Sequence, residues 1–395
     1  MHVGKKWQKK QEKLSEAIIE TSNESMKKAA AEARQLAIDR EHVIDNIPWT
    51  TVEADGSYMK RSYMHSSYDS TAGCMVIVEA HTKKVLQIVT KKKTCSKCDY
   101  AFSMGKILDG NHEGKCYRNH GRNQSSTSME SAGIAEAFLK SIEETGMMYK
   151  ILITDEDSSN FGAVTEALPY VIHGVEVQNI LCVNHLFRNL STILKLLSKK
   201  KGFCAPEIRK FLKECGLTMV QTIQIALGVI QQKSCDWHEK VRMLNDDIGK
   251  IPYHVAGDHS LCIGNNFGCK GIAKDGEKNF LPDLIKLGLL EEFLESKGRL
   301  ETHAESLLYG FTTNSVEAFN ALIAKTIGHK AFNYAKKDGY KLRAKVAVLS
   351  WNEKATYDPI CKTMGKQTPS VGRSIQEKRN EKNEKRTERG FHATF

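Results

Sequence analysis

Three acidic residues sit where a regular element begins or ends: Asp55 in ADGSYMKR, Asp155 in ITDEDSSNF and Glu317 in TTNSVEAFNALI. Carboxylates gathered from distant segments can hold two Mg2+ or Mn2+ ions roughly 4 Å apart. One ion then activates an attacking hydroxyl and the other stabilises the leaving oxygen, as phosphoryl transfer requires. Each residue also has a purely structural role open to it. Asp55-Gly56 suits a turn, Asp155, Asp157, Ser158 and Ser159 suit a helix cap, and Glu317, three residues after Asn314, suits a capping box. Joint placement on the right elements is what favours chemistry.

Thiols and imidazoles form a second set. Cys95, Cys98, Cys116 and His120 follow the pattern C-x2-C…C-x3-H within a polar loop spanning 91–122. That spacing can close a tetrahedral zinc site and stabilise a segment too polar to pack a core. Cys182 and His185 lie three apart, and His259 and Cys262 repeat the spacing. The two halves could share one structural zinc ion, with His254 and Cys269 as substitutes. Cys74, Cys204, Cys215, Cys235 and Cys361 show no ligand spacing and are expected to be buried or inert. Three basic clusters can neutralise phosphates without reading sequence: Lys5, Lys6, Lys9, Lys10 and Lys13 around Trp7, then Lys91, Lys92 and Lys93, then Lys199, Lys200 and Lys201. The alternative for each is a solvated charged face.

The elements that must position these groups follow from periodicity. Residues 1–45 are polar with apolar residues at roughly helical spacing, which predicts a basic helical arm outside the core. Thr51–Ala54 reads as a short strand ending at Asp55. Gly73–Ala80 and Val85–Thr90 read as strands of a meander, and Ile134 to Ile142 as a helical stripe. Tyr149–Thr154 is a buried strand stopping at Asp155, followed by a helix over 161–168, a strand over 175–182 and a helix over 186–197. Three antiparallel strands followed by two right-handed crossover units is the RNase H-like order, a mixed α/β sheet. Its first two carboxylates then emerge on neighbouring strands at one edge. The expected division is a core over 46–201 carrying the zinc-type loop, a mostly helical insertion over 202–300, a last core helix within 301–360, and a disordered charged tail over 361–395.

The 58 Lys and Arg against 47 Asp and Glu give a net charge of +11, which suits a polyanionic partner such as nucleic acid. No apolar run approaches the ~20 residues that span a bilayer, and MHVGKKWQKKQEK has no apolar segment of the secretory kind. An odd count of 11 scattered cysteines argues for reduced thiols and a cytosolic or nuclear compartment.

Five blocks in order, DGSYMKRSY, SSTSMES (125–131), DEDSSNF (155–161), CVNH with LFRN (182–189) and NSVEAFN (314–320), resemble Mutator-like transposase domains of animal mobile elements. The resemblance implies a DDE triad on Asp55, Asp155 and Glu317 and cut-and-paste transposition with Mg2+ or Mn2+. It also implies a Cys-x-x-His pair, matched by Cys182 and His185, and a nuclear setting. Relatives that carry the histidine before the last cysteine put His112 in place of His120. Relatives show Asp-Gly-Asp where this chain has Asp155-Glu156-Asp157, so either aspartate can be the second ligand, and strand position favours Asp155. The chain starts close to its core, as expected of a fragment or a degenerate copy. The implied partners are transposon terminal repeats and target DNA, bound by a homo-oligomer, with neither a membrane nor a small-molecule substrate. Two other readings are a decayed transposase that binds DNA without catalysis and an RNase H-like nuclease that cuts without joining.

Overall fold

The computed structural model describes residues 2–59, 70–106, 112, 116–155, 158–200, 206–328, 332–335, 338–375, 377–378 and 381. The chain divides into two units, Met1–Asn179 with Thr313–Phe395, and Ile180–Thr312.

The first unit opens with α1 (His2–Asp39), β1 (Val43–Ile44), β2 (Ile47–Tyr58), β3 (Ala72–Glu79) and β4 (Val85–Lys92). It continues through α2 (Ser96–Ser103), α3 (Ser126–Leu139), α4 (Ser141–Thr145), β5 (Met148–Thr154), α5 (Ser158–Ala167) and β6 (Gln178–Leu181), where the chain passes into the second unit. It resumes with α13 (Asn314–Thr326), α14 (Gly339–Asn352) and α15 (Tyr357–Thr363). The sheet order is β4-β3-β2-β5-β6, with β1 paired to β2. β2, β3 and β4 are antiparallel neighbours, and β5 runs parallel to β2.

Every residue of β3 is buried because both of its faces are covered. Met75 and Ile77 pack with Ile134 and Phe138 of α3 and with Ala29, Ala30 and Ala33 of α1. Cys74, Val76 and Val78 pack on the opposite side with Val316, Phe319 and Ile323 of α13 and Ala344 and Val348 of α14. α3 reaches the sheet closely because it has no side chain at Gly133, where a Cβ would stand 2.7 Å from Met75.

Three expectations change here. The N-terminal segment is one 38-residue helix whose part from Ala17 on packs into the core, while the stretch with Lys6, Lys9 and Lys10 is exposed. Its contact stripe is built from alanines, whose small apolar area is easily missed in a polar sequence. β2 runs on to Tyr58, so Asp55 lies inside the strand, opposite Val76, and Asp-Gly makes no turn. In the tail, residues 361–363 complete α15, which buries Ile360 just before it against Ala17 and Leu349, and residues 370–375 are helical. Most of 376–395 lies outside the described residues.

The second unit is helical: α6 (Val183–Leu197), α7 (Pro206–Gln231), α8 (Trp237–Val255), α9 (Leu281–Lys286), α10 (Leu290–Glu295), α11 (Gly298–Thr302) and α12 (Ala304–Tyr309). It is wider than the 202–300 insertion read from sequence. The apolar face of α6, Leu186, Leu190, Leu194 and Leu197, packs with Leu212 and Cys215 of α7 and Leu244 and Ile248 of α8.

Candidate active site and metal centres

Glu53 of β2 pairs with Ile153 of the parallel β5. Two residues further on come Asp55, still inside β2, and Asp155, just past the end of β5, whose charge acts on Asp55. Asp55 is half-buried and Asp155 is exposed. The Gly56 N–H donates to Asp55 Oδ1 at 2.7 Å, and Asn320 Nδ2 on α13 donates to Oδ2 at 2.8 Å. Burial pushes the Asp55 carboxyl up to about 7; the charges of Glu130 and then Asp155 add to this, and the two hydrogen bonds oppose it.

The N-terminus of α13 is fixed by a carboxylate from the sheet. Glu53, fully buried, accepts from the backbone N–H groups of Ser315 and Val316, each at 3.1 Å, and pairs with Lys83 at 2.9 Å. This satisfies two helix-end donors that would otherwise lack partners.

Glu317 is exposed in the first turn of α13, and its carboxylate lies 3.4 Å from the hydroxyl of Thr313. Glu53 holds the first turn of α13, and the following turn brings Asn320 to Asp55. Asn320 lies three residues beyond Glu317, on the same helix face, and that spacing was the available signal for it. Glu130 was also missed, because SSTSMES gave a family resemblance but no strand end to suggest a carboxylate site. Asp157 lies outside the described residues.

Cys95, Cys98, His112 and Cys116 bring one ligand atom each within 4.8 Å of one another. Cys95 Sγ lies 3.2 Å from His112 Nε2, and Cys98 Sγ lies 3.5 Å from Cys116 Sγ. Burial raises the Cys95 thiol, but N–H groups of Cys98, Tyr117 and Lys97 and the His112 ring outweigh it and bring it down to about 6. A thiolate solvated by backbone N–H groups is ready for a soft metal such as Zn2+. His120 stays outside this cluster. Its backbone N–H and that of Asn119 are bonded to the Lys92 carbonyl at the end of β4, and its ring lies 3.4 Å from Ser128 on α3.

The second cluster is His254, His259, Cys262 and Cys269. The two Nδ1 atoms lie 3.0 Å apart, Cys262 Sγ is 3.5 Å from His254 Nδ1, and Cys269 Sγ is 3.3 Å from His259 Nδ1. Glu277 faces His259 Nε2 at 3.1 Å, which orients the ring with Nδ1 inward. Asn265 Oδ1 accepts the N–H groups of Phe267 and Cys269, and the buried Asp247 accepts the N–H of Asn266 at 3.1 Å, so the turn carrying both thiols is pinned. Cys182 and His185, expected to share this ion, are not in the group. They sit at the start of α6, whereas the last turn of α8 supplies His254. Both clusters could bind zinc.

Lys6, Lys9 and Lys10 are exposed on α1, and the Lys5 side chain lies outside the described ones. Lys199 and Lys200 are exposed, Lys200 paired with Glu292; Lys201 falls outside the described residues. Lys91, Lys92 and Lys93 are buried, bonded to Glu136, Asp338 and the Gln124 carbonyl, and are not available as a phosphate-binding surface.

A six-stranded mixed sheet flanked by helices and two thiol-imidazole clusters that could hold zinc together define an α/β protein. The Mutator-like transposase family model matches residues 2–269, over half of the chain, and the chain belongs to that family. No curated protein and no solved structure matches it. The matched residues carry Asp55, Glu130, Asp155 and both Cys/His clusters; α13 lies beyond them.

Proposed function

We propose that this protein is a cut-and-paste DNA transposase of the DDE type, acting in the nucleus through an RNase H-like core. The observation that supports the reading is Asp55 on β2 with Asp155 directly after the parallel neighbour β5, close enough for its charge to act on Asp55. The donors fit a hard divalent cation. They are all oxygen, and Asn320 Oδ1 is an enclosed carbonyl oxygen without a hydrogen-bond partner although its amide nitrogen bonds Asp55. Asp55 and Asp155 would hold Mg2+ or Mn2+, and α13 would contribute further oxygen from Glu317 or Asn320. When bound, such ions supply the activation of an attacking hydroxyl and the stabilisation of the leaving oxygen.

The chain's own contribution is positional and electrostatic. Asp55 must give up a proton retained up to about pH 7 before it serves as a ligand. Glu53 keeps α13 seated on β2. Lys6, Lys9, Lys10, Lys199 and Lys200 would track DNA phosphates in a homo-oligomer assembled on terminal repeats and target DNA. Zinc at the two Cys/His clusters would be structural.

The test is cleavage and joining of terminal-repeat DNA in Mg2+. The parent should yield both cut and joined products, and Asp55→Ala and Asp155→Ala should yield neither. Equal cutting by the variants would sink the assignment, and cutting without joining would identify a nuclease. The exposed position of Glu317 at the start of α13 favours a second reading, a transposase descendant that binds DNA without catalysis. That protein would bind with a steep salt dependence and produce no nicks.

A further inference from the structure

We propose that Glu130 is a catalytic carboxylate, a ligand beside Asp55 for a divalent cation, delivered from α3 across the gap left by Gly56. The inference deepens the metal-dependent reading of the Asp55 site and rests on it.

Glu130 lies against the backbone of β2. A Cβ built on Gly56 would stand 2.6 Å from Glu130 Oε2, a separation that no real side chain tolerates. Glycine next to Asp55 therefore lets a carboxylate from the α3 layer approach the strand that carries Asp55. The approach is held by donors from separate elements. Asn160 Nδ2 on α5 donates to Glu130 Oε1 at 2.7 Å, and Tyr58 Oη on β2 donates to Oε2. Asn160 is itself buried and accepts from Ser131 at 3.2 Å. A carboxylate so restrained has its remaining lone pairs fixed in direction, as a metal ligand requires.

The charge balance points the same way. The donors to Asp55 are a backbone N–H and an amide, and those to Glu130 are a phenol and an amide. Among the described residues no Lys, Arg or His forms an ion pair with either carboxylate. Two neighbouring half-buried carboxylates with only neutral donors repel one another, and a cation between or beside them relieves that cost. The enclosed, unpartnered Oδ1 of Asn320 supplies a further oxygen of the same kind. The groups that hold or neighbour Asp55 and Glu130 offer only oxygen and nitrogen, with no thiol or imidazole among them, so the cation class is Mg2+ or Mn2+ and not zinc.

The experiment uses the full chain with both Cys/His clusters loaded with zinc. Mn2+ binding is measured calorimetrically without DNA, and DNA cleavage is measured in Mn2+. Glu130→Gln keeps the length and most of the hydrogen-bonding capacity of the side chain, and should weaken Mn2+ binding by about tenfold or more. Gly56→Ala leaves every carboxylate in place but pushes Glu130 off the strand, and should weaken binding in the same direction. Cleavage should fall with binding in both variants. If Glu130→Gln binds Mn2+ within about twofold of the parent while Asp55→Asn does not, Glu130 is only a structural hydrogen-bond acceptor and this inference is wrong. If Asp55→Asn and Asp155→Asn also bind like the parent, the metal site itself fails, and the proposed function with it.

Discussion

At the scale of the residue, Asp55 concentrates the cost of the site. Its carboxyl is held up to about 7 by burial and by Glu130 and Asp155, against about 3.8 in an unfolded chain. The folded metal-free protein thus binds a proton more tightly than the unfolded one. The associated stability is present in full below pH 3.8 and is lost as pH rises through 7, amounting to about 4 kcal/mol. Asp55→Asn removes the charge, and Asn320 can turn its amide so that the unpartnered Oδ1 accepts from the new group. Without divalent metal, the variant should melt above the parent at pH 8, with the difference closing towards pH 4. It should also lose DNA cleavage by several orders of magnitude. A melting difference independent of pH would show that Asp55 is not strained by its neighbours.

At the scale of the element, α13 and α14 are seated by buried charge. Glu53→Ala removes the acceptor for two N–H groups at the start of α13 and should cost about 1–3 kcal/mol, since the Lys83 partner is half-exposed and adds little. Denaturant melts check the cost. Cleavage should fall further than stability explains, because the next turn of the same helix carries Asn320 to Asp55. On α14, Lys345 is buried against Asn23 of α1, and burial first, then Lys341, lowers its ammonium to about 8, while Cys74 and Glu144 oppose the shift. The folded protein holds this proton less tightly than the unfolded one, so stability rises as pH climbs from 8 to 10.5. Lys345→Met should therefore gain about 2–3 kcal/mol at pH 7 and little at pH 10, measured as a melting difference. Strand periodicity in GCMVIVEA and YKILIT made β3 and β5 legible in the sequence. The docking of α1 was not, because alanine contributes too little apolar contrast. Glu53 and Glu130 were equally hidden, since each acts across the sheet on a partner many residues away, and no local pattern records that.

At the scale of the whole molecule, the two Cys/His clusters fall in different compact units, the first with the sheet and the second among the helices of Ile180–Thr312. Spacing alone found three members of the first cluster, Cys95, Cys98 and Cys116, and two of the second, His259 and Cys262. C-x2-C and H-x2-C are local and survive any fold, whereas His112 and His254 depend on how a loop and the end of α8 return to them. If each cluster holds one zinc ion, metal analysis of the full chain should give about two per chain. Cys98→Ser should lower that to one and expose backbone amides around 91–140 to hydrogen exchange, leaving α7 and α8 protected. His259→Ala should also lower it to one, but with faster exchange over 237–280 and unchanged protection in β2 and β3. Asp247 and Asn265 hold the second turn by hydrogen bonds alone, so His259→Ala should loosen that unit without unfolding it, a loss of about 2–4 kcal/mol. Exchange that rises across both units in either variant would mean that the metals hold together a single cooperative fold. Zinc content that stays at two would mean that the clusters are not where zinc resides.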